Sequence, residues 1–294
     1  MPGHTSFLKP RNPLLAGLLS LPVPGLGQLY NGQWGKTLAV FGVEMALGAL
    51  AVVGFSSFQG VLGGLLASIA FVAMVVGDAA VCARKRHVYE LRSCNRIWIY
   101  LLYAGVSLGG TFLLDWYLSN HYYQTFRVPT PSMELTLIAG DRFMAERLEP
   151  GDVIERGDVL VFHPPGKGAQ FYVKRVIALP GESVSVQRGH VIVNGRELAE
   201  PYARFGPMSD GSEAKSGGFR LGPGEYWFMG DNRPMSWDSR FFGPIRRERI
   251  SYRALYIYWA SAASGGHWLD RFGTPLGAPA ATTTDPPPAA RPPD

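Results

Sequence analysis

Residues 37–83 constrain this chain most: only Glu44 and Asp78 are charged there, in a chain that is 17% charged. A stretch so poor in charge cannot form the surface of a water-soluble globule. It contains two windows, 37–55 and 61–83, each long enough for an apolar helix to cross roughly 30 Å of hydrocarbon. The loop SSFQG (56–60) is short enough to fold them into an antiparallel hairpin. A third window, 97–118, carries Trp98, Tyr100, Trp116 and Tyr117 near its ends, where an interfacial aromatic belt would place them. A fourth apolar run, 14–30, is interrupted by Pro22, Pro24, Gly25 and Gly27 and reads as a re-entrant or interfacial segment. As a full span it would put Lys9 and Arg86 on opposite sides. Nor does it read as a cleavable secretory signal, because its apolar core runs into prolines.

Orientation follows from the basic residues. The loop between the second and third windows, 84–96, holds Arg84, Lys85, Arg86, Arg92 and Arg96 against one acid, Glu90. Such a loop stays in the cytoplasm, and Lys9, Arg11 and Lys36 before the first window agree. With three spans, everything after residue 120 lies on the exported side. The net charge of +5 is thereby accounted for in part without nucleic acid as a partner. Glu44 and Asp78 are costly inside spans unless partnered. The simplest reading puts Asp78 near the cytoplasmic interface and turns Glu44 toward another helix or lets it snorkel.

The pattern changes after residue 124. Short runs at 141–148, 158–164, 171–179, 183–187, 190–195, 225–230 and 254–260 alternate or are continuously apolar, with Pro, Gly and Asp turn signals between them. They predict an all-β domain. The expected organisation is a membrane domain over 1–120, an exported β-rich domain over 121–272 and a disordered Pro/Ala-rich tail over 273–294. Two cysteines, Cys82 and Cys94, cannot make a disulfide framework. The β half has no cysteine at all, which excludes a thiol nucleophile there. Its histidines 163, 190 and 267, like His121 at its border, are isolated among turn residues, so neither a metal site nor a cofactor is expected.

Lysine is scarce in the β half: Lys167, Lys174 and Lys215. Lys167 and Lys215 lie in glycine-rich loops. Lys174 lies within FYVKRVIAL (171–179), on a strand face shared with Tyr172 and Val176, with Arg175 pointing the other way. Apolar surroundings disfavour the ammonium form, which would make a neutral amine available as a base. An edge-strand lysine snorkelling to water fits the same residues. A partner hydroxyl is Ser132, on a segment stiffened by Pro129 and Pro131. Taken alone it reads equally as an ordinary Pro-Ser turn.

Four blocks in order carry a resemblance: VPTPSMELTLIAGDR (128–142), RGDVLVFHPP (156–165), YVKRVIALPGESV (172–184) and GEYWFMGDNRPMSWDSRFFGPI (224–245), with NGREL and EPY between the last two. Together they resemble the type I signal peptidases, membrane-bound Ser-Lys enzymes that remove signal peptides from exported proteins. The resemblance implies a helical membrane anchor followed by an all-β catalytic domain of that Ser-Lys type, working without metal or cofactor. It makes Ser132 the nucleophile and Lys174 the general base. Thr130 would join the Ser132 N–H in an oxyanion hole. Ser236 would orient the lysine, Asp238 and Arg240 would brace the site, and the turn Gly230, Asp231, Asn232 and Arg233 would support it. The implied partners are signal peptides cleaved after a small-x-small motif and the lipid bilayer of the cytoplasmic membrane, with the secretion translocon open as another.

Two departures stand out. Leu135 occupies a position where the family usually has proline, which is expected to loosen the segment after Ser132. Pro234-Met235 replaces the usual Asp-Asn before Ser236. The membrane hairpin at 14–83 is outside the family's minimal enzyme, although PGLGQLYNGQWGK (24–36) resembles a glycine-rich motif of small two-span membrane domains. Alternative readings are a specialised Ser-Lys processing peptidase of conjugation or pilus type, and an inactive signal-peptide-binding scaffold. The presence of both Ser132 and Lys174 argues against the second.

Overall fold

The computed structural model describes residues 10–86, 88–89, 95–166, 168, 170–187, 190–206, 218–261 and 268–277. The chain divides into two compact units, Met1–Tyr123 and Gln124–Asp294.

In the first unit, α1 (Pro13–Ser20) starts at Asn12, whose side chain accepts from the Leu14 and Leu15 amides, with Pro13 in the first helical position. It is followed by α2 (Leu26–Tyr30), α3 (Trp34–Gly54), α4 (Phe58–Arg84) and α5 (Ile97–His121). Only the last three are long and apolar enough to cross a membrane. At a rise of about 1.5 Å per residue, neither α1 nor α2 could span one. The break between them occurs where prolines and glycines interrupt the apolar run. Gly25 has φ 98, and a side chain there would collide with the Tyr103 hydroxyl, which donates to the Pro24 carbonyl at 2.6 Å. α2 then docks on α4 through side-chain amides: Gln28 donates to the Val75 carbonyl and Asn31 to the Ala79 carbonyl, both at 2.8 Å.

Glu44 and Asp78, the acids within the first two spans, both have partners, as their cost in hydrocarbon requires. Glu44 on α3 accepts from Ser107 on α5 at 3.1 Å. Asp78 on α4 pairs with Lys36 at 2.7 Å and accepts from Gln28 at 3.1 Å. Of the basic loop 84–96, residues 87 and 90–94 lie outside the described residues.

The second unit is built on antiparallel sheet. Its strands are β1 (Tyr123–Arg127), β2 (Arg142–Arg147), β3 (Val159–Phe162), β4 (Tyr172–Ala178), β5 (Ser183–Gln187), β6 (His190–Val193), β7 (Arg196–Glu197), β8 (Phe219–Arg220), β9 (Glu225–Met229), β10 (Ile245–Arg246) and β11 (Ile250–Trp259). A seven-stranded sheet has the order β1-β2-β11-β3-β4-β9-β10, and a four-stranded one the order β7-β6-β5-β8. Each of the seven runs read from the sequence contributes a strand. β3 is buried along its whole length because its two faces enter different cores. Val159 and Val161 pack with Met133, Leu137, Phe143 and Ile257, while Leu160 and Phe162 pack with Val176, Phe228 and Ile245. A strand buried on both faces needs a continuous apolar run, which is what VLVF supplies.

The segment expected to begin a disordered tail is ordered at its start. Gly273 and Leu276 donate to the Ile257 and Leu255 carbonyls of β11, each at 2.8 Å, and Leu276 is buried in the core that contains Met133. One apolar side chain seated in that core holds residues 273–277 despite their Pro/Gly composition. Residues 278–294 lie outside the described residues.

Candidate active site

Ser132 lies in a 3-10 turn, Pro131–Met133, between β1 and β2. Pro131 opens the turn, and Met133, fully buried, ties it to the core. The loop after β9 holds it from the other side. Asn232 donates its backbone N–H to the Ser132 carbonyl at 3.1 Å and its side-chain amide to the Pro131 carbonyl at 3.1 Å. The Ser132 N–H is in the first turn of its helix, where backbone donors have no intrahelical partner.

Lys174 lies in the middle of β4, opposite Leu160 of β3. It is buried, 4% exposed, and its Nζ donates to the Ser132 Oγ at 2.7 Å and to the Val173 carbonyl at 2.9 Å. Burial opposes the charged form and lowers its pKa from 10.5 to about 8, against Asp238 and Asp231, which favour the ammonium; Arg240 assists the lowering. Of the two readings open for this lysine, the buried one holds. An amine with that pKa is partly neutral near pH 7 to 8. At this distance it can accept a proton from the hydroxyl. The Thr130 hydroxyl lies beside both, donating to Ser132 Oγ at 3.2 Å.

The remaining expected residues surround this pair. Asp238 and Arg240 form a two-point ion pair, both contacts at 2.8 Å, and Asp238 also accepts from the Gly230 N–H at 3.1 Å. Asp231 accepts from Arg175 through both oxygens, at 2.9 and 2.7 Å, and from the Thr136 hydroxyl at 2.5 Å. Ser236 is buried against Gly230, but its hydroxyl has no hydrogen-bond partner among the described residues. The contact with Lys174 implied by the resemblance is therefore not formed. Gly230 must lack a side chain, since a Cβ there would collide with both the Ser236 Oγ and the Ser132 carbonyl. A cavity of about 500 Å³ opens beside Ser132 and Lys174, walled mainly by Phe126, Phe143, Phe171, Tyr172, Met235 and Trp237.

Arg175 and Glu200 have no role that the sequence alone makes legible. Arg175 does turn away from the Lys174 amine, yet it is itself buried and closes on Asp231. Glu200 pairs with Arg233 at 2.5 Å. The available signal was a charge inside each matched block, Lys-Arg and Glu-Pro-Tyr, but a charge in a short block reads equally well as a solvated residue. Lys167, Lys215 and His267 lie outside the described residues.

Comparison with known proteins bears on this arrangement directly. The profile described as signal peptidase, peptidase S26, matches residues 101–259, more than half of the chain. The chain belongs to this family. Among its relatives, the signal peptidase I of Bacillus caldolyticus is 35% identical over 148 residues, 47% of this chain and 80% of that one. A probable signal peptidase I-2 from Synechocystis sp. is 35% identical over 142 residues, 45% of this chain and 61% of that one. The signal peptidase I of Leptolyngbya laminosa is 35% identical over 140 residues, 45% of this chain and 66% of that one. The chain thus spans slightly under two thirds of the last two.

Within the signal peptidase family the departure at Leu135 has a structural counterpart. Leu135 has φ 90, a conformation closed to proline, whose ring holds φ near −65°. The following residues are nevertheless held, because Thr136 and Leu137 both donate their amides to the Met133 carbonyl, at 3.1 and 2.7 Å. Pro234 and Met235 fall in a second 3-10 turn, Arg233–Met235, and Met235 lines the cavity.

Proposed function

We propose that this chain is a membrane-bound serine endopeptidase that removes signal peptides from exported precursors after a small-x-small motif, by a Ser-Lys acyl-enzyme mechanism. The observation that carries the reading is the 2.7 Å contact between the buried Lys174 amine and the Ser132 hydroxyl. In this account residues 1–120 anchor the enzyme in the cytoplasmic membrane with the loop 84–96 in the cytoplasm. Residues 121–272 work on the exported side, where a signal peptide's cleavage site emerges.

Neutral Lys174 takes the Ser132 proton as the oxygen attacks the carbonyl carbon of the bound peptide. The oxygen of that carbonyl becomes an oxyanion, received by the Ser132 N–H and by the Thr130 hydroxyl once it turns from Ser132 Oγ. Donors of this kind are typically worth a few kcal/mol in acyl transfer. Protonated Lys174 gives its proton to the departing amine, the C–N bond breaks, and the signal peptide remains as an ester on Ser132. Water, deprotonated in turn by Lys174, releases it as the carboxylic acid. Asp238 and Arg240 hold the Gly230 turn behind the amine, and Asp231 is neutralised by Arg175.

The test is cleavage of a small-x-small precursor by Ser132→Ala and Lys174→Ala in the full chain. Each is expected to abolish cleavage while the protein stays folded. Substantial residual cleavage by either would sink the assignment.

A further inference from the structure

Behind the dyad lies a buried ion pair that the mechanism does not use. Glu200, on the connection that leaves β7, accepts from both terminal nitrogens of Arg233 at 2.9 and 2.5 Å, and the two side chains are 1% and 2% exposed. Arg233 also donates its Nε to the Gly230 carbonyl at 3.0 Å. Two residues beyond Glu200, Tyr202 donates its hydroxyl to the Glu200 carboxylate at 3.3 Å. Its ring lies 4.2 Å from the Arg175 guanidinium, the group that closes on Asp231. Tyr202 therefore touches one member of each pair, and Asp231 and Arg233 belong to the same turn. That turn is also the one that grips Ser132, through the Asn232 N–H. Buried ion pairs add little net stability over well-packed apolar residues. Stability alone is then a weak reason for placing Arg175–Asp231, Glu200–Arg233 and Arg240–Asp238 around the turn after β9.

We propose that Tyr202 is a positioning residue for the dyad: its ring, stacked on Arg175, keeps the Arg175–Asp231 pair closed and dry behind Lys174. This rests on the Ser-Lys reading above and deepens it. The groups facing Lys174 are Asp231 from the turn after β9, Asp238 and Arg240 from the segment after it, and the Tyr172 ring, 5.6 Å away on β4. Those facing Tyr202 are Glu200, Arg175, Arg233 and Asp231. Burial and the Glu200 charge push the Tyr202 hydroxyl up, so it stays protonated throughout the working range and does not itself titrate there. Removing the ring takes away the stack on Arg175 and admits water to the pair. Asp231 is then less fully held by Arg175 and acts more strongly on Lys174, while the entering water eases the burial that disfavours the ammonium. Both effects move the lysine's ionisation upward.

The experiment is the pH dependence of kcat/KM for cleavage of a small-x-small precursor by the full chain in detergent micelles. Tyr202→Leu is expected to move the acid limb up by about one pH unit, to lose roughly tenfold in rate at neutral pH and to recover as pH rises. Tyr202→Phe, which keeps the ring, is expected to restore the parent profile. Tyr202→Met, which likewise has no ring to stack on Arg175, serves the same purpose if the leucine variant fails to fold. A loss that is uniform across pH, an unchanged profile in the leucine or methionine variant, or an equal shift in Tyr202→Phe overturns the proposal. Ser132→Ala is measured alongside. Cleavage that persists in that variant removes the Ser-Lys reading itself, whereas a dead Ser132→Ala with an unmoved Tyr202→Leu profile removes only the role of Tyr202.

Discussion

Leu135 stands three residues after Ser132 with φ 90 and is 61% exposed, so it carries backbone strain without much packing to offset it. A non-glycine residue at positive φ costs on the order of 1–2 kcal/mol, and glycine avoids most of that cost. Leu135→Gly is therefore expected to unfold at a denaturant midpoint equal to or above the parent's. Leu135→Pro, which restores the residue usual in the family, is expected to lose about 1–3 kcal/mol, because its ring cannot reach this backbone conformation. A gain in stability on introducing the proline would show that the segment adopts another path. The departure was visible in the sequence, but its consequence was not. Loosening was expected after Ser132, and the turn is instead closed by two amides on the Met133 carbonyl.

At the scale of elements, alternation and turn signals located every strand of four or more residues except β1, Tyr123–Arg127, whose sequence YQTFR is mostly polar. They did not reveal β7, β8 and β10, which have two residues each and therefore no period to detect. The N-terminal half of β11, Ile-Ser-Tyr-Arg, was hidden by its polar residues; Arg253 there is held by Glu146 and Asp158. The candidate site was legible as a serine and a lysine because proline stiffening and an apolar strand are local signals. Their meeting across 42 positions, and the arginines that neutralise the surrounding acids, depend on how β4 and the loop after β9 come together. That loop is joined to β4 by Arg175 and Asp231, whose side chains are 3% and 1% exposed. Breaking such a pair leaves a buried charge unpaired, at a cost of about 3–5 kcal/mol. Arg175→Met should lower the stability of the β unit by that amount in denaturant titration. A loss below about 1 kcal/mol would mean that Asp231 is already solvated.

For the molecule as a whole, the proposed orientation puts the basic loop between the second and third membrane-capable helices in the cytoplasm and the β unit on the exported side. In a background lacking Cys82 and Cys94, a cysteine at Lys85 is expected to resist a membrane-impermeant thiol reagent added to the outside of intact cells whose outer permeability barrier has been opened. One at the exposed Gly151 is expected to react. The reverse pattern would overturn the orientation.

What joins the membrane anchor to chemistry in this account is a lysine able to lose its proton near neutral pH. The most direct measurement is the pH–rate profile of kcat/KM for cleavage of a small-x-small precursor by the unaltered chain. Burial opposes the ammonium, so the base is active above its lowered pKa and is lost as pH falls through it. The account predicts an acid limb with its inflection near 8, where Lys174 titrates in the fold. An inflection near the ordinary lysine value of 10.5 would contradict it.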